Sequence, residues 1–369
     1  MDLDLAPIAA CFSLAGRLTE AEACRGGHIN DSYVIRCGDV RYLLQRINRR
    51  VFKDPARVMD NIRRVTEHLQ REHRRLRLAD AERRSLRLVP TLRGAPYHRD
   101  ESGGYWRIYR YIEGAVCHQT IESEAQAFQV ARAFGTFQAM LTGLPQACLH
   151  RTIPDFHDLQ QRLAAFDLSR AQDPWARAAH AQAEIEALLG HRALVDAFTQ
   201  LRGAGGLPER VCHYDTKPGN VLFDAVSSEA LCVIDLDTVM PGLALFDFGD
   251  LVRSAACPAP EDTTDLARVV MLEGRFQALL TAYLEGMGRF LTRGELGHLA
   301  LAPRLVTCEL ALRFLTDYLM GDVYFRTERP AHNLHRCRVQ LKLLESMERQ
   351  AGSMRSSVAK EAAIRRLAL

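Results

Sequence analysis

Alternating apolar and polar residues in two early segments predict a pair of β-strands. The first is 33–37, the second is 41–47, and Gly38-Asp39 forms the turn between them. Asp54-Pro55 is then typical of a helix start. Apolar residues follow at helical spacing, at Val58, Ile62, Val65 and Leu69. The N-terminal region is therefore predicted to contain a β-hairpin and one long helix.

Two more strands are predicted at 86–92 and 105–112, and helices dominate from about residue 115 onward. An apolar stripe predicts a helix that ends near Gly143 and is formed around Val130, Phe134, Phe137 and Leu141. Asp173-Pro174 predicts the start of a long helix that ends near Gly203. The basic, alanine-rich segment 349–369 predicts a helix that is either solvated or loosely docked.

A second hairpin is predicted where the sequence reads VCHYDTKPGNVLFDAVSSEALCVIDLDTVMPGLALFDFGD, from 211 to 250. Its strands are the apolar runs 220–223 and 231–234. Polar residues flank both strands: His213, Asp215 and Asn220 before the first, Asp235 and Asp237 after the second. Because one strand starts where the other ends, Asp215, Asn220 and Asp235 are expected at one rim of the hairpin.

This spacing is suited to phosphoryl transfer from a nucleotide. Asp215 is predicted to be the catalytic base and Lys217 to lie near the transferred phosphate. Asn220 and Asp235 are predicted to bind Mg²⁺ through oxygen atoms. Each residue alone is a common turn former. Four such residues at the kinase spacing, followed by an Asp of the kind that binds metal in kinases, favour a catalytic role. Asp237 is either an outer partner of this site or a second metal ligand, whereas His213, Asp247 and Asp250 are predicted to brace it.

Composition limits the alternatives without selecting one. The 369 residues are 47% hydrophobic and 25% charged with a net charge of +3, so nothing favours nucleic-acid binding. The ten cysteines show no metal-binding spacing, which is typical of reduced thiols in a cytoplasmic protein. The first residues, MDLDLAPIAACF, make a poor signal peptide, and no apolar run reaches membrane-spanning length. We expect no membrane partner, and a monomer or weak dimer.

The motifs HYDTKPGN and CVIDLDTVMPGLALFDFGD resemble the aminoglycoside phosphotransferase and choline kinase superfamily of small-molecule kinases. Within it, the chain is most similar to the N-acetylhexosamine 1-kinases. That similarity extends over GGHINDSY (26–33), YLLQRIN (42–48), IPDFHD (153–158), IDLDTVMPGLALFDFGD (234–250) and RFLTDYLMGDVYF (313–325). These segments span most of the chain.

The resemblance implies an α+β, bilobal protein-kinase-like fold. Residues 1–112 would form a small β-rich lobe that covers the nucleotide, and 113–369 a larger helical lobe with the catalytic hairpin and acceptor site. It also implies an ATP-dependent enzyme that uses Mg²⁺. The predicted nucleotide-binding residues are Gly27, Asn30, Ser32, Gln45, Tyr111 and Glu113.

By the same resemblance, the acceptor is an N-acetylhexosamine such as GlcNAc or GalNAc, phosphorylated on its anomeric hydroxyl. His28, Asp215, Arg313 and Tyr324 are the predicted substrate contacts. Without the resemblance, Arg313 is an ordinary ion-paired residue and Tyr324 a packing residue. Another amino sugar, an aminoglycoside or an amino alcohol remains an alternative acceptor, and a nucleotide-binding pseudokinase is an alternative function.

One residue departs from the usual kinase pattern. The third strand of a kinase normally provides a Lys for the α- and β-phosphates, whereas YLLQRIN has Gln45 at that register and Arg46 beside it. A glutamine donates hydrogen bonds but adds no charge. Either Mg²⁺ and the glycine-containing loop hold the nucleotide, or Arg46 replaces the lysine.

Overall fold

A computed structural model describes residues 4–24 and 29–369 of the chain. The strands are β1 (Leu18–Ala23), β2 (Asp31–Cys37), β3 (Val40–Arg46), β4 (Leu88–Val89), β5 (His98–Arg99), β6 (Tyr105–Arg110), β7 (Ala115–Cys117), β8 (Arg210–Cys212), β9 (Val221–Asp224), β10 (Ala230–Val233) and β11 (Met240–Gly242). The α-helices are α1 (Ala6–Ala9), α2 (Pro55–Arg75), α3 (Glu124–Leu141), α4 (Leu159–Gln172), α5 (Gln182–Gly190), α6 (Arg192–Gly203), α7 (Ala244–Ala255), α8 (Glu273–Met287), α9 (Arg293–His298), α10 (Ala302–Leu319), α11 (His332–Arg349) and α12 (Ala351–Ile364). The predicted α+β class, β-rich first and mainly helical afterwards, is confirmed.

The chain forms two compact units. The smaller comprises Met1–Val116, Gly143–Pro154 and Leu222–Pro241, and the larger comprises Cys117–Thr142, Asp155–Val221 and Gly242–Leu369. Two segments that the sequence analysis placed in the C-terminal lobe, 143–154 and 222–241, therefore belong to the smaller unit. None of the helices formed by the described residues is long and apolar enough to cross a membrane.

The smaller unit is built on a six-stranded sheet of order β1-β2-β3-β6-β4, with β5 also paired to β6. The predicted first hairpin is confirmed as β2 and β3, which pair antiparallel from Asp31↔Arg46 to Cys37↔Val40. Gly38 in the turn has a φ of +60°, a left-handed conformation that glycine adopts without strain. One face of this sheet forms a core that includes the buried residues Ile35, Leu44, Trp106 and Ile108.

Helix α2 confirms the predicted long helix. Asp54 is its N-cap and accepts a hydrogen bond from the Arg57 N–H, and Pro55 occupies the first turn. Asn61 on this helix donates to the carbonyls of His150 and Val239 over 2.8 and 2.9 Å. These bonds explain why segments 143–154 and 222–241 pack with the smaller unit: one buried amide ties both of them to α2.

The larger unit is helical, and two of its helices meet backbone to backbone. A Cβ added to Gly135 of α3 would lie 2.8 Å from the Tyr283 carbonyl oxygen, and one added to Gly286 of α8 would lie 2.6 Å from the Gly135 carbonyl carbon. Side chains cannot fit between α3 and α8 at this crossing. The two glycines therefore set the separation of the helices.

Two sequence predictions were wrong in this part of the chain. The strand predicted at 86–92 is only β4, Leu88–Val89. Asp173-Pro174 does not begin a long helix, because Asp173 has a φ of 32° and ends α4. Its carboxylate accepts the N–H groups of Arg177 and Ala178, which forms a turn. The aspartate satisfies local backbone donors in either setting, so the dipeptide alone does not distinguish a helix start from a turn.

The basic C-terminal segment forms a docked helix, α12. Met354, Val358 and Ala362 are buried, and the carboxylate of Glu361 accepts hydrogen bonds from Gln277 and Thr281 of α8 over 2.7 and 2.8 Å. The helix predicted there is confirmed, and it packs against α8 instead of being solvated on all sides. All ten cysteines lie in the described part of the chain, and none of them forms a disulfide.

We predict that Gly135→Ala lowers the free energy of unfolding by about 1–3 kcal/mol, because the new methyl group overpacks the crossing of α3 and α8. Urea denaturation measures this change. Gly297→Ala is the matched control, since a Cβ at Gly297 in α9 meets nothing within 4 Å and the substitution improves helix propensity. Equal effects of the two substitutions would contradict the packing argument.

Candidate active site

The loop between β8 and β9 brings together three of the predicted catalytic residues. The Lys217 ammonium lies 2.8 Å from Asp215 Oδ2. The Asn220 amide nitrogen donates to the same oxygen and to the Asp215 carbonyl, each over 2.8 Å. No described residue donates a hydrogen bond to Asp215 Oδ1. One carboxylate oxygen is thus fixed by two donors, while the other can accept a hydrogen bond from another molecule.

Electrostatics keep Asp215 ionised. Burial disfavours its charged form, but the Lys217 ammonium, His213 and the Asn220 amide outweigh burial and lower its pKa below the ordinary value. Asp215 is therefore a carboxylate near neutral pH, able to accept a proton or orient a hydroxyl group.

Two aspartates on α7 hold this loop through its backbone. Asp247 Oδ2 accepts the His213 N–H over 2.8 Å, and its Oδ1 accepts the Tyr214 N–H over 2.9 Å. Asp250 accepts the Thr216 N–H over 2.8 Å. The predicted bracing role of these aspartates is confirmed. It matters because Tyr214 has a φ of 66°, a left-handed conformation that is costly for a bulky residue.

His213 is structural, as predicted. It is fully buried, and its ring meets the edges of Phe134 and Phe137 at centroid distances of 5.3 and 5.7 Å. Its Nδ1 accepts the Asp215 N–H over 3.3 Å. The ring therefore anchors the backbone of the loop between β8 and β9 within the core of the larger unit.

The predicted metal-binding Asp235 belongs to the smaller unit, two residues after β10. Its φ and ψ are 59° and 61°, so it too has a left-handed backbone. Non-glycine residues persist in this conformation only where the surrounding structure enforces it, and such residues are concentrated at functional sites. The backbone at Asp235 is thus held in a strained conformation just beyond the end of its strand.

Asp237 binds protein donors through both of its carboxylate oxygens. It is buried, its Oδ1 is ion-paired with Arg107, and its Oδ2 accepts the Asn30 amide over 2.7 Å. Both carboxylate oxygens are already used by protein donors. Of the two roles considered for Asp237, the outer partner fits this geometry.

Gln45 and Arg46 lie on opposite faces of β3. Gln45 donates to Ser32 Oγ and accepts from Arg107 Nε, each over 2.9 Å. The Arg46 guanidinium instead lies over the Trp106 ring, 5.7 Å from its centroid. Gln45 therefore has the position that joins the predicted nucleotide-binding residues, and Arg46 does not join them. Arg107, which the sequence analysis missed, is the cation beside Gln45.

Three other predicted nucleotide-binding residues, Asn30, Tyr111 and Glu113, contact neighbouring residues as follows. Asn30 Oδ1 accepts the Asn48 N–H over 3.0 Å. Tyr111 lies beneath the Arg41 guanidinium, 4.4 Å from ring centroid to Cζ, and the Glu113 carboxylate is paired with Arg41. The Glu113 carbonyl accepts from Arg83 Nε over 3.1 Å. Gly27 and His28, predicted to bind nucleotide and acceptor, lie outside the described residues.

The predicted acceptor residues meet in the larger unit. The Arg313 guanidinium lies 5.2–5.7 Å from the ring centroids of Phe156, Tyr324 and Phe325. Phe156 in turn meets the Tyr214 ring edge-on at 5.8 Å, and Tyr214 precedes Asp215. Tyr324 is 56% exposed. A continuous row of side chains therefore connects Arg313 and Tyr324 to the loop that carries Asp215.

Sequence reasoning missed the charged pair beneath this row. His157 Nδ1 lies 2.6 Å from Glu309, and the His157 ring stacks on Phe246 at 4.5 Å. Burial disfavours ionised Glu309, but His157, Arg313 and Arg162 outweigh it and lower its pKa. Little in the sequence points to this pair, since His157 and Glu309 lie far apart in the chain and each is an ordinary loop or helix residue.

The predicted metal ligands carry oxygen atoms, the ligand type that suits Mg²⁺. The Asn220 amide nitrogen is turned toward Asp215, which leaves the amide oxygen as the possible metal ligand of this side chain. In the smaller unit, Asp235 provides a carboxylate. Among the residues that the structure describes, no three His, Cys, Asp or Glu side chains form a metal cluster. Mg²⁺ often takes only one or two protein oxygens, with water and phosphate completing its shell. Asn220 in the larger unit and Asp235 in the smaller unit each carry an oxygen atom of the kind that Mg²⁺ prefers.

The titration of Asp247 gives a test of how the loop is held. Burial raises the pKa of Asp247 to about 7, although the His213 and Tyr214 N–H groups act against burial. A raised folded-state pKa contributes stability at low pH, and that stability is lost as the pH rises from about 4 to about 7.

Relative to the wild type, Asp247→Asn should therefore gain stability across this pH range, by about 1 kcal/mol per pH unit. Urea denaturation of both proteins between pH 4.5 and 7.5 measures the difference. Glu101→Gln at an exposed position is the control. A pH-independent difference would mean that the N–H donors keep Asp247 ionised throughout.

Comparison with known proteins agrees with this geometry. The model of the phosphotransferase enzyme family (APH) matches residues 20–287. Among solved structures, an aminoglycoside phosphotransferase from Alicyclobacillus acidocaldarius has a TM-score of 0.61 at 15% identity, with 98% of each chain covered. A microcompartment-associated aminopropanol kinase has a TM-score of 0.57 at 16% identity, covering 94% of this chain and 98% of that chain.

A spectinomycin phosphotransferase, solved with ADP and spectinomycin, has a TM-score of 0.55 at 13% identity, covering 93% of this chain and 100% of that chain. At these identities the likeness concerns the fold, which is that of protein-kinase-like small-molecule phosphotransferases. The family match, in contrast, spans more than half of the 369 residues. The chain belongs to the phosphotransferase enzyme family.

Proposed function

We propose that the protein is an ATP- and Mg²⁺-dependent kinase that phosphorylates the anomeric hydroxyl of an N-acetylhexosamine. The observation that supports catalysis most strongly is the arrangement of Asp215, Lys217 and Asn220, in which one Asp215 oxygen is fixed and the other can accept a hydrogen bond. A pseudokinase has no need to maintain a carboxylate, an ammonium and an amide in this arrangement.

In this proposal Asp215 is the catalytic base. Its Oδ1 accepts a hydrogen bond from the sugar hydroxyl, orients that hydroxyl toward the γ-phosphate, and takes its proton. Lys217 has two roles, because it fixes Asp215 Oδ2 and adds positive charge where the phosphoryl group is transferred. The lowered pKa of Asp215 suits a residue that must be ionised before the hydroxyl binds.

Asn220 and Asp235 are the residues proposed to hold Mg²⁺, which neutralises phosphate charge when bound. The left-handed backbone of Asp235 supports this assignment, because non-glycine residues in that conformation are concentrated at functional sites. Asn30, Ser32 and Gln45 are proposed to bind the phosphates of ATP, together with Gly27. The backbone near Tyr111 and Glu113 is proposed to meet the adenine.

The charges around Arg313 favour a neutral acceptor over a cationic one. Arg313 already covers the aromatic faces of Phe156, Tyr324 and Phe325, which a quaternary ammonium group would need. Arg162 lies near enough to Arg313 that burial and this second cation lower the pKa of Arg162. A choline-like or polyamino acceptor would add charge beside two arginines.

The segment 256–265 does not provide the negative charge that a cationic acceptor would need. An aminoglycoside site would need a strongly acidic loop, and segment 256–265 is only modestly acidic. Glu261 is paired with Arg253, and Asp262 with Arg329 and His332. The sequence resemblance then selects an N-acetylhexosamine among neutral hydroxylated acceptors, with Arg313, Tyr324, Asp215 and His28 as its proposed contacts.

A panel of acceptors tests this proposal. With ATP and Mg²⁺, we expect GlcNAc or GalNAc to be phosphorylated far faster than choline, aminopropanol or an aminoglycoside. Phosphorus NMR of the product should show an acid-labile phosphate coupled to the C1 proton. A phosphate on another carbon would contradict the assigned hydroxyl. Nucleotide binding without phosphate consumption across the panel would favour the pseudokinase instead.

The base assignment is tested by Asp215→Asn. We expect kcat to fall by at least ~100-fold, because the proton acceptor is lost. The thermal midpoint should change little, because the asparagine oxygen can still accept from Lys217. Asp196→Asn, an exposed position in the same unit, is the matched control and should keep the wild-type rate. A near-normal rate in Asp215→Asn would exclude Asp215 as the base.

A further inference from the structure

A fully buried ion pair lies within the smaller unit, between Arg107 of β6 and Asp237 after β10. Arg107 is 1% exposed and Asp237 is 2% exposed. Removing two charges from water is costly, and apolar residues of similar size often stabilise a fold as well or better. Stability alone is therefore a poor reason for this pair, and its surroundings suggest another.

The pair is the centre of a chain of hydrogen bonds. On one side, Arg107 Nε donates to Gln45, and Gln45 donates to Ser32, each over 2.9 Å. On the other side, Asn30 donates to Asp237 over 2.7 Å, and the Asn48 N–H donates to Asn30 over 3.0 Å. The chain thus connects β6 to the start of β2, where the predicted phosphate-binding residues lie.

The position of Arg107 explains the unusual Gln45. These two residues are direct cross-strand partners on β3 and β6. Gln45 occupies the register where kinases normally place a phosphate-binding lysine. The positive charge is therefore still present, but the neighbouring strand supplies it, and its burial keeps the guanidinium away from solvent.

The charge of Arg107 also acts on the predicted metal ligand. Burial disfavours ionised Arg107, but Asp237, Tyr109 and Asp235 outweigh it and raise its pKa. Arg107 is therefore a permanent cation that is attracted to both aspartates of the segment after β10. Asp235 lies two residues before Asp237, so the bonds that anchor Asp237 to Arg107 and Asn30 also restrain the segment that carries Asp235.

We propose that Arg107 and Asp237 are positioning residues for the nucleotide: without touching it, they hold Asn30, Ser32 and Asp235 in their binding arrangement. This inference rests on the proposed function. An arginine suits the role because its fork donates to Gln45 and Asp237 at the same time, whereas a lysine donates from a single nitrogen.

The decisive variant replaces both charges with apolar residues, Arg107→Met with Asp237→Leu. It leaves no unpaired buried charge, so we expect it to fold with a thermal midpoint close to that of the wild type. Its dissociation constant for a non-hydrolysable Mg·ATP analogue, measured by calorimetric titration, should rise at least tenfold. With a working acceptor, KM for ATP should rise similarly, while KM for the acceptor stays within twofold.

The matched control is the same exchange at an exposed ion pair of the same sheet, Arg36→Met with Glu20→Leu, where the side chains are 3.0 Å apart. It should leave nucleotide affinity unchanged. Arg107→Lys should lie between wild type and the double variant, since it keeps the charge but loses a hydrogen bond. If the double variant does not fold, this single variant tests the proposal by the same titration.

If the folded double variant binds the nucleotide with wild-type affinity, the positioning role is overturned and the kinase proposal stays intact. If the double variant fails to fold, wild-type affinity in Arg107→Lys has the same meaning. Nucleotide binding by the wild type without sugar phosphorylation would refute the proposed acceptor, and the titration would still decide the role of the pair. A wild-type protein that binds no Mg·ATP would overturn both proposals.

Discussion

Two buried carboxylates on one helix hold the loop that carries Asp215, Lys217 and Asn220. Asp247 and Asp250 accept the backbone N–H groups of residues 213, 214 and 216. Backbone donors in a buried loop must be satisfied, and Tyr214 in addition adopts a left-handed conformation that requires external support. The orientation of Asp215, and of the Lys217 and Asn220 side chains that bind it, depends on these bonds.

Buried charge has a comparable role in the smaller unit. Arg107 and Asp237 neutralise each other, and each also holds a polar residue of the hairpin, Gln45 or Asn30. Hydrogen bonds that satisfy both partners are the condition under which a buried ion pair is tolerated. The same bonds make the arrangement specific, since an apolar pair could pack there but could not orient an amide.

The aromatic and charged residues around Arg313 show how the two signs of charge are balanced in the larger unit. Arg313 and Arg162 are offset by the buried Glu309, which is itself bonded to His157. Asp317 meanwhile accepts the N–H groups of Val323, Tyr324 and Phe325 and so fixes the turn that presents Tyr324. The exposed tyrosine is therefore held by its backbone while its ring stays accessible.

The sequence by itself determined the α+β class, the β2–β3 hairpin, the capped helix α2 and the grouping of Asp215, Lys217 and Asn220. All of these follow from local periodicity, capping and short-range spacing, which act within a few residues. Only the tertiary structure decided that Gln45 is paired with Arg107, that Asp237 accepts from Arg107 and Asn30, and that Asp173 ends a helix. Those outcomes depend on contacts between residues far apart in sequence, or on competition between equally good local conformations, and neither leaves a local pattern.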